Sequence, residues 1–407
     1  MDIFKIIILV MALPVMFYLI FPCLSTVTSL LAGKQEPKRP AENNKKQDFA
    51  CIITAYKDTS LVIPLVNSLL QQSYDNYFIY LVADACDTLC VVDWPSDKVR
   101  ILQPPVELAS KSSSIRYAMN HFQRLHQAVV VLDPDNLAHP HFLKELNTYF
   151  NRGYMAVQGR RTAKNLHTRF AQLDAMGELY YNYTSRLVPA ALGSSATIAG
   201  SGMAVATILY YEHLRSKAIA EPVNKVIAGE DKILQAQLVA DGIRIAYAPE
   251  AILFDEKVAS SKGFQRQRTR WINAYFTNLP QGWVLIGKGI RQLNFNQFYF
   301  GVLTIAPPIF LLITTALLLL PAVAWASLYW LAALGLSLFV FAAHFLLVLK
   351  LNRAPLKVWQ SLWGIPVLVL NQFAALVRVR KANKNFLVTA NTQTLTIEEV
   401  LGNQPMK

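Results

Sequence analysis

Two long uncharged stretches constrain this chain before any other feature does. Residues 6–33 give 28 positions without Asp, Glu, Lys or Arg, and residues 292–349 give 58 more. A membrane-spanning helix takes about 20 apolar residues, so the first stretch supplies one span and the second supplies two. The sequence has 407 residues, of which 53% are hydrophobic and only 16% charged. Soluble domains carry about 25% charge, so a purely water-soluble fold is excluded. A third uncharged stretch, 358–377, is interrupted by Gly364, Pro366, Asn371 and Gln372. A full span and a short tilted or re-entrant helix both fit it.

The first stretch is longer than the roughly 7–15 apolar residues of a signal-peptide core and has no evident cleavage site, so it reads as a retained anchor. Basic residues assign the sides. Lys34, Lys38, Arg39, Lys45 and Lys46 follow the first span, Lys288 and Arg291 precede the second, and Lys350, Arg353 and Lys357 follow the third. By the positive-inside rule the middle of the chain is cytoplasmic. The net charge of +13 is thus placed where a membrane protein needs it, which argues against nucleic acid as partner. The four cysteines, Cys23, Cys51, Cys86 and Cys90, suit a reduced compartment, and Cys86 and Cys90 lack the further ligands of a zinc site.

The resulting plan is an anchor at 1–33, a Pro- and Asn-containing linker at 34–48, a catalytic domain at 49–280, an interfacial segment at 281–297, membrane helices at 298–377 and a cytoplasmic tail at 378–407. Within the middle domain, short apolar runs at 49–54, 77–83, 99–102 and 128–132 alternate with helical patterns at 61–71 and 111–125. That alternation predicts βαβ units, an α/β fold and a mainly parallel sheet. Ligands in such sheets bind beyond the carboxyl ends of the strands. There the sequence offers Tyr56-Lys57-Asp58, Asp84-Ala85-Cys86-Asp87 and Asp133-Pro134-Asp135. Neither a Rossmann fingerprint nor a P-loop is present, so nicotinamide and P-loop chemistry lose their support.

Asp133 and Asp135 end an apolar run, and hard carboxylate oxygens suit Mg2+ or Mn2+. Asp-Pro-Asp-Asn is also good turn chemistry, and both readings fit. Asp84 and Lys111 together would serve a base or ribose and a diphosphate, although each alone is ordinary surface. Glu230 and Asp231 open a helical pattern. They suit a helix dipole, and near a nucleotide they also suit a general base. Gly200-Ser201-Gly202 lets backbone approach a ligand. In Gln267-Arg268-Thr269-Arg270-Trp271, guanidinium groups can clasp phosphate and the indole can stack on a sugar, while a basic helix against anionic lipid is the competing use. His139 and His141 lack the spacing of a helical zinc site, Ser194 and Ser195 lack a nucleophile elbow, and His344 reads as a polar residue within a helical bundle. Trp283-Val284-Leu285-Ile286, with Lys288 and Arg291, reads as an amphipathic stretch lying along the membrane. Phe386, Leu387 and Val388 in the tail are candidates for packing on the domain.

Taken in order, Asp84, Lys111, Asp133-Pro134-Asp135, Gly200-Ser201-Gly202, Glu230-Asp231 and Gln267-Arg268-Thr269-Arg270-Trp271 resemble the membrane-embedded family 2 glycosyltransferases. That group includes cellulose, hyaluronan and poly-N-acetylglucosamine synthases and ceramide glucosyltransferase. The resemblance covers about residues 49–280. It implies a GT-A fold, a UDP-sugar donor, a divalent cation (Mg2+ or Mn2+) and inversion at the anomeric carbon. Under it, Asp84 contacts uridine, Lys111 and Tyr56 the nucleotide, and Asp133 and Asp135 the nucleotide and metal. Asp231 is then the general base beside Glu230, Gln267, Arg270 and Trp271 hold diphosphate and acceptor, and Gly200, Ser201 and Gly202 border the acceptor. Gly229 stands where cellulose synthases carry Thr.

The product expected from the resemblance is a growing β-linked polysaccharide, made at a bacterial inner membrane with an oligomeric or export partner. A glycolipid synthase that transfers one sugar to a membrane lipid fits the small number of spans. A non-catalytic UDP-binding scaffold of a secretion complex is the alternative outside enzymology. Sugar identity and linkage are not legible, because hydroxyl recognition is assembled from distant residues.

Overall fold

The computed structural model describes residues 3–33, 45–86, 94, 95, 97–216, 219, 229–366, 369 and 394–402. Most of the 34–48 linker, Asp87, Cys90, the end of the 358–377 stretch and Phe386, Leu387 and Val388 lie outside them. The strands are β1 (Phe49–Tyr56), β2 (Tyr77–Asp84), β3 (Val99–Leu102), β4 (Ala128–Leu132), β5 (Leu137–Ala138), β6 (Ala156–Ala163), β7 (Met203–Ala206) and β8 (Ile245–Asp255). They form one sheet in the order β3-β2-β1-β4-β7-β6-β8-β5. Pairing is parallel through β3, β2, β1 and β4 and between β6 and β8. It is antiparallel where β7 joins β4 to β6 and where β5 joins β8.

The helices are α1 (Ile3–Ala32), α2 (Val62–Leu70), α3 (Lys111–Asn120), α4 (Phe142–Asn151), α5 (Arg169–Tyr181), α6 (Val188–Ala191), α7 (Thr207–Arg215), α8 (Glu230–Ala240), α9 (Ser261–Arg291), α10 (Phe295–Thr304), α11 (Ile309–Ala326), α12 (Leu328–Leu351) and α13 (Leu356–Gln360). A π-helical turn, Asn182–Leu187, joins α5 to α6, and a short helix Ile397–Gly402 lies near the end of the chain.

Successive strand side chains point to opposite faces, so both faces of a run such as Val129-Val130-Val131 need cover. Cys51, Ile53, Ile79, Leu81 and Val130 pack on one face against α2 and α4. Ile52, Phe78, Tyr80, Val82, Val129 and Val131 pack on the other against α3, α7 and α8. The apolar runs read from sequence become β1 to β4 with ends shifted by at most two residues. The helical pattern at 111–125 is shorter than expected. α3 stops at Asn120, where the His121 N–H turns back to the Ala118 carbonyl. The residues just beyond brace the amino ends of the strands. Asp48 accepts from His126 Nδ1 at 2.7 Å and Arg124 Nε at 2.6 Å, and Tyr80 Oη meets His126 Nε2 at 2.9 Å.

Among the described residues three helices, α1, α11 and α12, are long and apolar enough to cross a membrane. They share a core of Leu9, Ala12, Leu19, Ala316, Val323, Leu334 and Val348, and Thr26 Oγ1 meets His344 Nε2 at 2.9 Å. Tyr180 of α5, Tyr183 of the π turn and Val188 of α6 belong to the same core, so the bundle is docked directly on the α/β domain.

The 281–297 segment is not a separate surface helix, because α9 continues through Pro280 from Ser261 to Arg291. α10 then folds back along it. Side chains added at Gly282, Gly289 or Gly301 would collide with the opposite helix, so the two backbones approach closely at these positions. Trp283, Val284 and Ile290 are exposed as an amphipathic surface requires. Leu285 instead turns inward, 1% exposed, and joins the sheet core.

Candidate active site

Because β1, β2 and β4 are parallel, their carboxyl ends share one edge, and Tyr56, Asp84 and Asp133 all stand there. Three of the loops at this edge contain non-glycine residues with left-handed backbone: Lys57 (φ 64°), Ala85 (φ 51°) and Ala109 (φ 46°). Such conformations cost energy and concentrate at functional loops. Asp84 is buried, and its carboxylate accepts from the Leu108 N–H at 2.8 Å and the Ala109 N–H at 2.9 Å. In this state it organises the loop before α3. Tyr56 Oη donates to Glu107 Oε1 in the same loop, at 2.5 Å, which raises the pKa of the phenol. The loop ends at Ser110, whose side chain caps α3 by accepting from Ser113 N.

α3 thereby delivers Lys111 into the edge, where Nζ donates to Asp133 Oδ1 and, at 2.9 Å, to the Gly200 carbonyl. Burial disfavours the ammonium, but Asp133 and Glu230 outweigh it and hold the lysine above its usual pKa. Glu230 is committed elsewhere: its carboxylate accepts from both the Ser112 hydroxyl and the Ser112 N–H, clamping α8 to the amino end of α3. Burial raises the pKa of that carboxyl. Asp231, one residue on, instead faces the Gly200-Ser201-Gly202 loop. A Cβ at Gly200 would lie 3.7 Å from its Oδ2. Gly229 sets this geometry, because it caps α8 in the left-handed region (φ 72°) with α9 so close that a Cβ would stand 2.9 Å from Ala274 Cβ. A threonine cannot occupy that position without moving α8 or α9.

Asp135 does not share the open position of Asp133. It is 7% exposed, beside Asn136 and Asp255. Burial, then Asp255 and Asp133, pushes its carboxyl up to about 8. Asp255 ends β8 and carries two cations, Arg161 Nη2 at 2.5 Å and Lys257 Nζ at 2.8 Å. Arg161 also reaches the Ala199 carbonyl at 2.7 Å, next to the glycine loop. Behind it, Glu178 pairs with Arg186 at 2.6 Å and Lys257 at 3.4 Å. Burial would raise the Glu178 pKa, but Lys257 and Arg186 outweigh it and hold the carboxyl far below its usual range. Sequence reasoning missed this charged layer. The available signal was that Ala251-Ile252-Leu253-Phe254-Asp255 ends an apolar run in an acid, as Asp84 and Asp133 do.

The first turns of α9 close the site. Gln267, Arg270 and Trp271 share one helix face by their spacing of three and four. Arg270 is exposed at the mouth of the site, and partial desolvation of its guanidinium lowers its pKa against the opposing pull of Asp133 and Asp231. Trp271 is 41% exposed, and Gln267 Oε1 is buried with no hydrogen-bond partner among the described residues, as is Ser201 Oγ. Arg268 faces away from the pocket: it donates to Asp174 at 2.7 Å and stacks on Trp271 at 4.3 Å. The structure therefore brings Lys111, Asp133, Gly200, Asp231 and Arg270 together. Ser195 is structural, bonded to Asn296 Oδ1 and the Ile245 N–H. His141 bonds Ser73 at 2.8 Å, and His139 accepts from the His141 N–H.

The carboxylates fit a hard divalent cation. Asp135 feels the charges of Asp255 and Asp133, with Lys164 and Arg161 opposing them. Among the described residues no three acidic, His or Cys side chains converge as a complete cation site. A cation held by Asp133 and Asp135 would therefore draw further oxygens from a phosphate-bearing ligand.

The family model described as "Glycosyltransferase like family 2" matches residues 46–274, more than half of the chain. No curated protein matches. Similar solved structures include the mannosyltransferase PcManGT from Pyrobaculum calidifontis in complex with GDP-Man and Mn2+, at 15% identity and a TM-score of 0.49, covering 92% of this chain and 99% of that one. Residues 1–349 of S. aureus TarS are similar at 14% identity and a TM-score of 0.40, covering 58% of this chain and 65% of that one. A second S. aureus TarS structure is similar at 13% identity and 0.40, covering 61% and 44%. With its α/β domain matched almost from end to end, this chain belongs to the family 2 glycosyltransferases, and its catalytic domain has the GT-A-like fold.

Proposed function

We propose that the chain transfers a sugar from a UDP-sugar, with inversion, to an acceptor hydroxyl at the cytoplasmic face of a bacterial inner membrane. The observation that carries this reading is the division of labour between neighbouring acids: Glu230 is clamped to Ser112, while Asp231 faces the glycine loop within electrostatic reach of Arg270. Asp231 takes the proton of the attacking hydroxyl. Lys111 and Arg270 stabilise the diphosphate as it leaves. Gln267 supplies the buried acceptor atom left unpaired on α9. Trp271 offers its exposed indole to the acceptor sugar. Tyr56 and Asp84 border the base and ribose, with Asp84 acting partly through the loop it organises. Asp133 and Asp135 would hold Mg2+ or Mn2+, which neutralises charge on the leaving diphosphate when bound. Inversion takes a single displacement, so no covalent carboxylate is required.

Support for a growing β-linked polysaccharide as acceptor is the Gln267, Arg270 and Trp271 set on one face of α9. Support for a single transfer to a membrane lipid is the bundle itself, three candidate spans packed on a shared core. The test is UDP release by the purified chain from a panel of UDP-sugars with Mn2+ or Mg2+, comparing wild type with Asp231→Asn and sizing the product. Sugar-dependent release lost in the variant supports transfer, and an organic-soluble product selects the lipid. UDP binding without turnover in either protein would leave the scaffold reading in its place.

A further inference from the structure

β5 is the outermost strand of the sheet and only two residues long, paired with Leu253 and Phe254 of β8. Most strands run about 5–6 residues, so this pairing alone is a weak hold. A segment from the far end of the chain reinforces it. Ile397 (3% exposed) and Val400 (5%) of the short helix Ile397–Gly402 pack on Leu137 and Phe254, both 0% exposed, with Leu395 and Leu401 beside them. The helix opens on a capping box: the Thr396 N–H donates to Glu399 Oε2 at 2.9 Å and the Glu399 N–H to Thr396 Oγ1 at 3.4 Å. Gln71, at the end of α2, donates to Glu398 Oε1 at 2.7 Å. Six residues do not form a stable helix alone in water, so this one exists because it is docked.

What the helix covers adjoins the acids of the catalytic edge. Leu137 follows Asp135 and Asn136, and Phe254 precedes Asp255. Asn136, 1% exposed, ties the acids to one another. Its Oδ1 accepts from the Asp133 N–H at 3.0 Å, and its Nδ2 donates to Asp135 Oδ1 and to Asp255 Oδ1, each at 3.3 Å. Lys164 repeats the tie through the backbone, Nζ donating to the Asp135 carbonyl and its N–H to the Asp255 carbonyl, both at 2.9 Å. The spacing of these acids therefore follows from how β5 lies on β8, and the helix fixes how β5 lies. Ligand groups must be held within about 0.5 Å by the packing behind them, so a loosened β5 would be felt at Asp135.

We propose that the helix Ile397–Gly402 is a positioning element of the cation site. Ile397 and Val400, acting through Leu137, Phe254 and Asn136, hold Asp135 in register with Asp133, so divalent-cation affinity depends on the helix being docked. The inference rests on the reading of Asp133 and Asp135 as cation ligands. The test uses the full chain in detergent with Mn2+ and UDP and no sugar donor, where loss of the free Mn2+ paramagnetic signal reads binding without turnover. Ile397→Asp with Val400→Asp puts two charges on the docked face and releases the helix. Mn2+ affinity is expected to fall about 10-fold or more, the usual effect of removing a group that orients a metal ligand. Amide exchange at Leu137 and Ala138 is expected to accelerate, since local opening follows the loss of local contacts. Val400→Ala covers the case in which the charged variant fails to fold, with an expected affinity loss of about 3-fold. Ile397→Leu, which keeps the apolar contact, should bind as wild type does. Leu214→Ala, in the core under α7, should lower the melting midpoint yet leave Mn2+ affinity within about 2-fold, because distant sites act independently.

Unchanged Mn2+ affinity in a variant whose Leu137 and Ala138 amides exchange faster would overturn the proposal and leave Asp133 and Asp135 as cation ligands. Exchange at those amides indifferent to both variants, or an equal loss of affinity in Leu214→Ala, would overturn it too. Wild-type protein that holds no Mn2+ in the presence of UDP would overturn the cation reading itself, and this inference with it.

Discussion

Replacing Glu178 by Gln tests whether the charged layer behind the catalytic edge holds the domain together. The substitution keeps shape and removes one charge from a site where Arg186 lies at 2.6 Å and Lys257 at 3.4 Å, with both partners' side chains less than a tenth exposed. Three cations, Arg161, Arg186 and Lys257, would then face Asp255 as the remaining carboxylate of the layer. Breaking a buried pair from one side costs about 3–5 kcal/mol, chiefly because the partner stays buried and unpaired. For a domain of this size about 1 kcal/mol shifts the melting midpoint by about 2–4 °C, so a fall of about 6–20 °C is expected. Intrinsic tryptophan fluorescence during a thermal ramp in detergent reads it. Adding Lys257→Met to Glu178→Gln removes the surplus cation and should restore at least half of the loss, since coupled neighbours are not additive. A single variant within about 2 °C of wild type, or a double variant no better than the sum of the singles, would refute the reasoning.

Gly229→Thr should lower transfer at least about 10-fold and cost about 1–3 kcal/mol, because its Cβ would press on Ala274 and its backbone would be strained; stability and turnover measured together check it. Without divalent cation, the raised Asp135 pKa means the folded state binds more protons than the unfolded one between about pH 4 and pH 8. Stability should therefore fall as pH rises through that window, and melting curves of Asp135→Asn should be flatter across it. Arg270→Lys should reduce kcat about 100-fold while UDP binding weakens less, as expected for a bidentate diphosphate contact replaced by a point charge. Trp283→Asp with Val284→Asp should leave the melting midpoint unchanged and reduce activity in vesicles relative to micelles, because both side chains are exposed on α9.

The three long apolar helices and β1 to β4 were legible because their signals are local: an uncharged run of span length, or a short β-branched run followed by an acid. The same ends-of-strand logic located Asp84 and Asp133. It did not reveal the buried setting of Asp135, whose position beside Asp255 depends on β5 pairing with β8 more than a hundred residues away. The residue pattern alone left Glu230 and Asp231 alike, and only the resemblance named Asp231 as the base. The approach of α8 to α3 gives a physical distinction, because Ser112 takes one acid and leaves the other facing the glycine loop. The amphipathic pattern at 283–286 was real, yet Leu285 faces inward, since α10 and α8 cover that side of α9 and a linear sequence does not reveal a second helix folding back. The layer of Glu178, Arg186, Arg161 and Lys257 is scattered over four elements and carries no motif.

α9 continues as one helix through Pro280, and its length makes the arrangement a lever. Its contact with α10, between Gly282 and Gly289, is about 15 residues from Arg270, or about 22 Å at about 1.5 Å per residue. A tilt of about 5° at that contact would carry the guanidinium about 2 Å, well beyond the roughly 0.5 Å tolerance of a preorganised site. The glycines that admit α10 therefore act as a bearing, setting the angle of a rod whose far end, on the proposed function, meets a diphosphate. A bilayer in contact with the exposed Trp283, Val284 and Ile290 would press on the same short arm. On that reading the mechanical state of the membrane would be an input to the placement of Arg270.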